Sequence, residues 1–173
     1  MVSMQFKSVK INLKLPIIGS IEGTWEPNDV QRQAAWEMYV ELVTRISVNE
    51  LKTGEGLLRE ALTSLYSLFN STREILKKYG PEVAISTKGN ISFGYLAVSI
   101  LNTSLRPLLA KWHPLLLEYE NKRSESVSLV EHEKEWDKFN ELKTVLEEIR
   151  QILVEYAEIL GQVAGVPSLI IER

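Results

Sequence analysis

Apolar residues recur at alternating gaps of three and four over most of the chain, the period of a helix buried along one side. The central example runs from Ile91 to Glu120, where Val98, Leu101, Leu105, Leu108, Trp112, Leu115 and Tyr119 form one stripe. Beside it, at intervals of seven, lies a second row of Ser92, Ser99, Arg106, His113 and Glu120. Pro107 and Pro114 remove the bonds to the Thr103 and Ala110 carbonyls, and each disfavours the helical basin for the residue before it. Either the helix breaks there, or it continues with a kink. The apolar stripe passes both prolines, which predicts a kinked continuous helix whose packing offsets about 3 kcal/mol per proline.

Three more helices flank this one. The first starts near Pro27 to Asp29, with Asn28 and Gln31 spaced as a capping box. Ala35, Tyr39, Leu42 and Ile46 mark its face, and Trp36, Val40 and Val43 widen it. Glu41 and Arg45 form a favourable pair four apart. The helix fades into a loop over Asn49 to Gly56. The second carries Leu58, Leu62, Leu65, Phe69, Thr72, Leu76 and Tyr79, and stops at Gly80 and Pro81. Asn90 or Ser92 caps the third. The serine-rich stretch Asn121 to Ser128 is an exposed loop. The fourth is expected from about Val130 to Val163, roughly 50 Å long, with Phe139, Leu142, Leu146, Ile149, Leu153, Tyr156, Leu160 and Val163 on its stripe. One end of so long a helix projects past the others or meets a second subunit. Gly165 and Pro167 end it, and the tail either frays or pairs with the N-terminal segment.

Near the N-terminus the period changes to two. Val9, Ile11, Leu13 and Leu15 alternate with Lys10, Asn12 and Lys14, as in a half-buried strand. Pro16 and Gly19 bracket a turn, and Ile21 to Trp25 returns as a second strand. The expected architecture is all-α: an antiparallel four-helix bundle with a proline-kinked third helix and a small N-terminal β-hairpin. It forms one domain, with residues 1–26 as a hairpin lid, 27–165 as the bundle and 166–173 as a tail. The alternative for the hairpin is an edge that recruits another chain.

Composition narrows the class. The chain has 173 residues, 45% hydrophobic, enough for a substantial core. A net charge of -3, from 20 basic and 23 acidic side chains, gives no overall attraction to nucleic acid or acidic membranes. There is no cysteine, which excludes disulfides and thiolate chemistry and fits a reducing cytoplasm. Lys7, Lys10 and Lys14 fall where a signal peptide requires an apolar run. The longest charge-free segment, Gly89 to Leu105, is too polar to span a bilayer.

Little of the chemistry-bearing vocabulary is present. The two histidines, His113 and His132, occur in no Glu-x-x-His or H-E-x-x-H pattern, and no phosphate-loop or dinucleotide motif occurs. No cofactor and no metal is expected. Glu131, Glu133 and Glu135 read as a solvated face at a helix start. Arg106 and His113 are the candidate catalytic pair. Seven positions turn a helix by about 700°, so both side chains leave on one side. A guanidinium beside an imidazole can bind a phosphate and move a proton. The RPLLAKWH spacing resembles the R-x(4–6)-H motif of HEPN-type helical ribonucleases, although Pro107 stands where that family carries a polar residue. The competing reading ties Arg106 to the Thr103 carbonyl or a neighbouring carboxylate, and His113 to the carbonyl freed by Pro114. Trp25, at the hairpin–helix junction, and Trp136, on the polar start of the fourth helix, are the candidate interaction residues, Trp136 as an exposed anchor.

The segments GTWEP, AAWEMYVELVTRI, GLLREALTSLYSLF and RPLLAKWHP span most of residues 23 to 114. Together they resemble a family of uncharacterised bacterial helical-bundle proteins, which implies a bacterial cytoplasmic setting and supplies no site residue. Four apolar stripes offer more sticky surface than one small bundle must cover. The expected function is therefore a protein-interaction or regulatory module, self-associating or bound to a protein partner. The alternative is metal-independent RNA cleavage by Arg106 and His113.

Overall fold

The computed structural model describes residues 8–15, 19–45, 48, 52–86 and 89–170. Strand β1, Val9–Leu15, buries Val9, Ile11, Leu13 and Leu15 and exposes the residues between them. It pairs antiparallel with β2, Gly19–Trp25, in a register that sets Val9 opposite Trp25 and Leu13 opposite Ile21. The expected turn at Pro16 lies outside the described residues. β1 packs on the last helix, and the hairpin's buried side chains belong to the same apolar core as the helices. The outer edge of β2 is met by the segment before the third helix. The Asn90 side chain accepts from the Thr24 amide at 3.1 Å and donates to the Glu22 carbonyl at 3.2 Å. Gly23 permits this approach, because a Cβ there would come within 2.2 Å of the Asn90 Oδ1.

Most of the chain is helical. Helix α1, Asp29–Val43, starts where Asn28 caps the Gln31 amide at 2.8 Å. The expected capping box is incomplete, since the Gln31 side chain turns inward to other partners. Its buried face is Gln31, Ala34, Ala35, Met38, Tyr39 and Leu42. Trp36 and Val40 are exposed rather than part of that face, being about 100–140° away from Ala35 around the helix. Ile46 lies outside the described residues. Arg45 takes the expected pair with Glu41 at 2.6 Å and also reaches Ser71 on the next helix.

Helix α2, Leu58–Tyr79, follows its predicted stripe and ends at Gly80, whose φ of 75° suits glycine. A 3-10 turn, Pro81–Ala84, leads towards α3, Phe93–Ile100. Ser92 caps α3 through the Tyr95 amide at 3.1 Å. The chain then stays helical through a π turn, Leu101–Leu105, into α4, Arg106–Glu120. That turn ends at Leu105, two positions before Pro107. Widening the backbone there accommodates a residue that has no amide to give the Thr103 carbonyl. The extra residue shifts the helical register. Upstream of it the core face is Phe93, Leu96, Ala97 and Ile100, so Val98 of the predicted stripe is exposed.

The expected single fourth helix is two. Ser128 and Glu131 form a full capping box at the start of α5, Leu129–Lys134, and the chain turns before α6, Phe139–Ala164. The apolar repeat begins only at Phe139, and the run before it holds one large apolar residue, Trp136. The turn between the helices carries that side chain inward. At 1.5 Å per residue, α6 is about 39 Å long instead of the expected 50 Å. It ends at Gly165 in the left-handed conformation. The tail lies against α1, where the Leu169 amide donates to the Tyr39 hydroxyl at 2.6 Å. Residues 171–173 lie outside the described residues. Helix α1 packs on α6 and α2, and α2 also packs on α4 and α6. No helix among the described residues is long and apolar enough to cross a membrane.

Candidate functional site

The part of the row on α4, Arg106, His113 and Glu120, faces α2. Arg106 lays its guanidinium over the Phe69 ring, 5.2 Å from the centroid, and its Nε donates to Asn102 Oδ1 at 3.1 Å. His113 stands beside Tyr66, with ring centroids 6.3 Å apart, and its Nδ1 meets the Arg59 guanidinium. Glu120 takes Arg59 in a two-point ion pair, Nε to Oε1 at 2.9 Å and Nη2 to Oε2 at 3.0 Å. Arg59 thus bridges His113 and Glu120, two turns apart on α4. Neither expected carbonyl partner is used: Arg106 takes an amide oxygen and His113 a guanidinium. Both side chains are exposed, one helical face carries them, and each is already engaged across or along the seam.

Both candidate interaction tryptophans are buried, Trp25 at the hairpin–helix junction and Trp136 against the expectation of an exposed anchor. Trp25 donates its Nε1 to Gln31 Oε1 at 2.5 Å. The same oxygen accepts from the Phe93 amide at 3.1 Å, and Gln31 Nε2 donates to the Ile85 carbonyl at 2.9 Å. Trp136 packs on Tyr119, with ring centroids 5.4 Å apart, and meets Trp112 edge-on at 6.1 Å. His132 stacks on Tyr119 at 4.0 Å, and the two exchange bonds with each other's carbonyls at 2.6 and 2.8 Å. The exposed tryptophan is Trp36, at 42%.

The acids before α6 divide. Glu133 is buried, and its carboxylate caps α2 from a distant segment, accepting from the Leu58 amide at 3.1 Å and the Arg59 amide at 3.3 Å. Leu57, at the cap position, has no side chain that could serve. Burial pushes the Glu133 carboxyl above its ordinary range, against the pull of those two amides. Next to it opens a cavity of about 320 Å³, bounded by residues 52–57, the start of α2, α5 and the first half of α6. A second groove, of about 380 Å³, runs between α1 and α2 beside Trp36 and Val40. At its rim Glu37 pairs with Lys78 and accepts from the Tyr79 hydroxyl at 2.5 Å. These two partners outweigh burial and hold the Glu37 carboxyl below its ordinary value.

Among the described residues, no three His, Asp or Glu side chains converge to hold a metal ion. Trp36, expected on the widened apolar face of α1, is exposed, and Glu133, expected on a solvated face, is buried, while the cavity had no counterpart in the sequence pattern. Trp36 had a signal, since on an ideal helix it and Val40 stand about 100° and 140° from Ala35. Glu133 had none, because its partners are 74 and 75 positions away. No family model matches the chain, and neither a curated protein nor a solved structure does.

Proposed function

We propose that the chain is a non-catalytic protein-interaction module of the bacterial cytoplasm that self-associates through the outer face of α1. Its frame is an antiparallel four-helix bundle of α1, α2, the α3–α4 rod and α6, with the rod bent at its π turn. The observation that carries the reading is the exposure of Trp36 and Val40, 42% and 37%, next to the groove between α1 and α2. A ridge of two apolar side chains beside a groove is self-complementary under a two-fold axis, so the Trp36 of one copy fills the groove of the other. The Glu37–Lys78 pair at the rim fixes the register of such a contact.

RNA cleavage by Arg106 and His113 has less support. Catalysis on the HEPN pattern needs both side chains free to meet a phosphate, whereas Arg59 holds His113 and Phe69 carries the Arg106 guanidinium. Sedimentation velocity over a wide concentration range tests the main reading. A concentration-dependent dimer in the wild type, lost in Trp36→Glu with the circular dichroism unchanged, is the expected result. A monomer at every concentration, or RNA cleavage abolished by Arg106→Ala and His113→Ala, would overturn it.

A further inference from the structure

The cavity beside Glu133 has walls and a mouth of different character. Leu58, Ala61 and Leu65 of α2 face Phe139 and Leu146 of α6 across it, so its interior is apolar. Lys52, Lys134 and Lys143 stand at the mouth, all exposed, and none of them forms an ion pair among the described residues. The acids nearby are committed elsewhere. Glu147 is held by Arg150 at 2.6 and 2.8 Å, and Glu133 by the α2 amides. The Glu55 carboxylate accepts from the Lys52 amide at 3.0 Å. Lys52, Lys134 and Lys143 outnumber Glu55 and Glu133, the two lining carboxylates without a cation partner, and Lys143 lies 5.5 Å from the centroid of the Phe139 ring, so the excess positive charge around an apolar hollow favours an occupant with a greasy body and a negative head.

Size limits the choice. Taking roughly 30 Å³ per heavy atom, the share of one water in the liquid, 320/30 gives room for about ten atoms. A single medium-length alkyl chain fits, whereas a two-chain lipid or a peptide helix does not. The α2 N-terminus itself takes no part in holding the anion, because Glu133 already occupies its first amides.

We infer that this cavity binds a single-chain amphiphile with an anionic head, of the medium-chain carboxylate class, its chain among Leu58, Leu65, Phe139 and Leu146 and its head at Lys52, Lys134 and Lys143. This site is separate from the α1 face proposed for self-association. The alkyl chain supplies the affinity by leaving water, and the lysines select the sign of the head.

Calorimetric titration of the full chain with decanoate, decanol and decylammonium tests it. Decanoate is expected to bind one site per chain, with decanol and decylammonium each about tenfold weaker or worse. The double variant Lys134→Glu/Lys143→Glu changes only exposed positions. It is expected to weaken decanoate about tenfold and to bring decylammonium up to or above it. Ala61→Phe, which fills the cavity, is expected to abolish binding of all three. No saturable binding of decanoate, decylammonium binding as tightly as decanoate in the wild type, or charge reversal without effect on the preference would each overturn the inference.

Discussion

Gln31 and Glu133 do the same job in different currencies. Each is a buried polar side chain that serves the first amides of a distant helix. Gln31 serves Phe93 at the start of α3, and Glu133 serves Leu58 and Arg59 at the start of α2. Gln31 is neutral, and both ends of its amide are answered, by Trp25, Phe93 and Ile85. Such a knot is indifferent to pH and closed to ligands. Glu133 carries a titratable group, lies near the Arg59–Glu120 pair and borders an apolar hollow ringed with lysines. A neutral amide suffices where the only task is to hold backbone together. A carboxylate is costlier to bury, and here it stands where the molecule opens.

Replacing the neutral knot should do the most damage. Gln31→Leu strands the Trp25 indole, the Phe93 amide and the Ile85 carbonyl in the core. At about 1–3 kcal/mol for each buried group left unpaired, some of it recovered by relaxation, a loss of about 3–5 kcal/mol is expected in urea denaturation. Glu133→Ala comes next. It uncovers two amides at the start of α2 and should cost about 2–3 kcal/mol, less than Gln31→Leu because water can enter from the cavity. Equal losses from the two variants would erase the distinction between a closed knot and an open one.

The smallest effect is the dependence on pH. Glu133 holds its proton more tightly in the folded chain than in the unfolded one, where its carboxyl titrates near 4.5. Its contribution therefore favours folding fully below about pH 4.5 and fades as pH rises through the raised native value. Glu147 acts in the opposite sense, since the Arg150 bond lowers its native value and its contribution is lost as pH falls. In Glu133→Gln the first effect is absent. Stability measured from pH 4 to pH 8 should move in the variant's favour relative to wild type as pH rises, while Gln31 variants keep a constant gap. A gap that closes as pH falls only for a Gln31 variant would reverse the assignment.

Much of the architecture was legible because helices and hairpins are written in local periods. The β1 alternation, the α2 stripe, the Ser92 cap and the stops at Gly80 and Gly165 all depend on residues within a few positions of each other. What escaped was set at long range. Trp136 has polar neighbours in sequence, which read as an exposed site, but the turn between α5 and α6 rotates it onto Tyr119 and Trp112. The π turn moved Val98 out of the stripe by adding one residue to the register, a shift that an even period cannot express. The Arg106–His113–Glu120 row was visible as a row. Its partner, Arg59, was not, because nothing in the spacing along α4 says which residue of α2 faces it. The cavity lysines come from a loop, from α5 and from α6, and only folding brings them to one mouth.

The contrast between the closed and the open knot can be tested in one experiment. Backbone amide resonances of the isotopically labelled chain are followed by NMR as decanoate is added. The account predicts saturable shifts concentrated at residues 52–61, 130–134 and 139–150, with Gln31, Ile85 and Phe93 unmoved. Shifts spread evenly over the molecule, or centred on Trp36 or on Gln31, would contradict it.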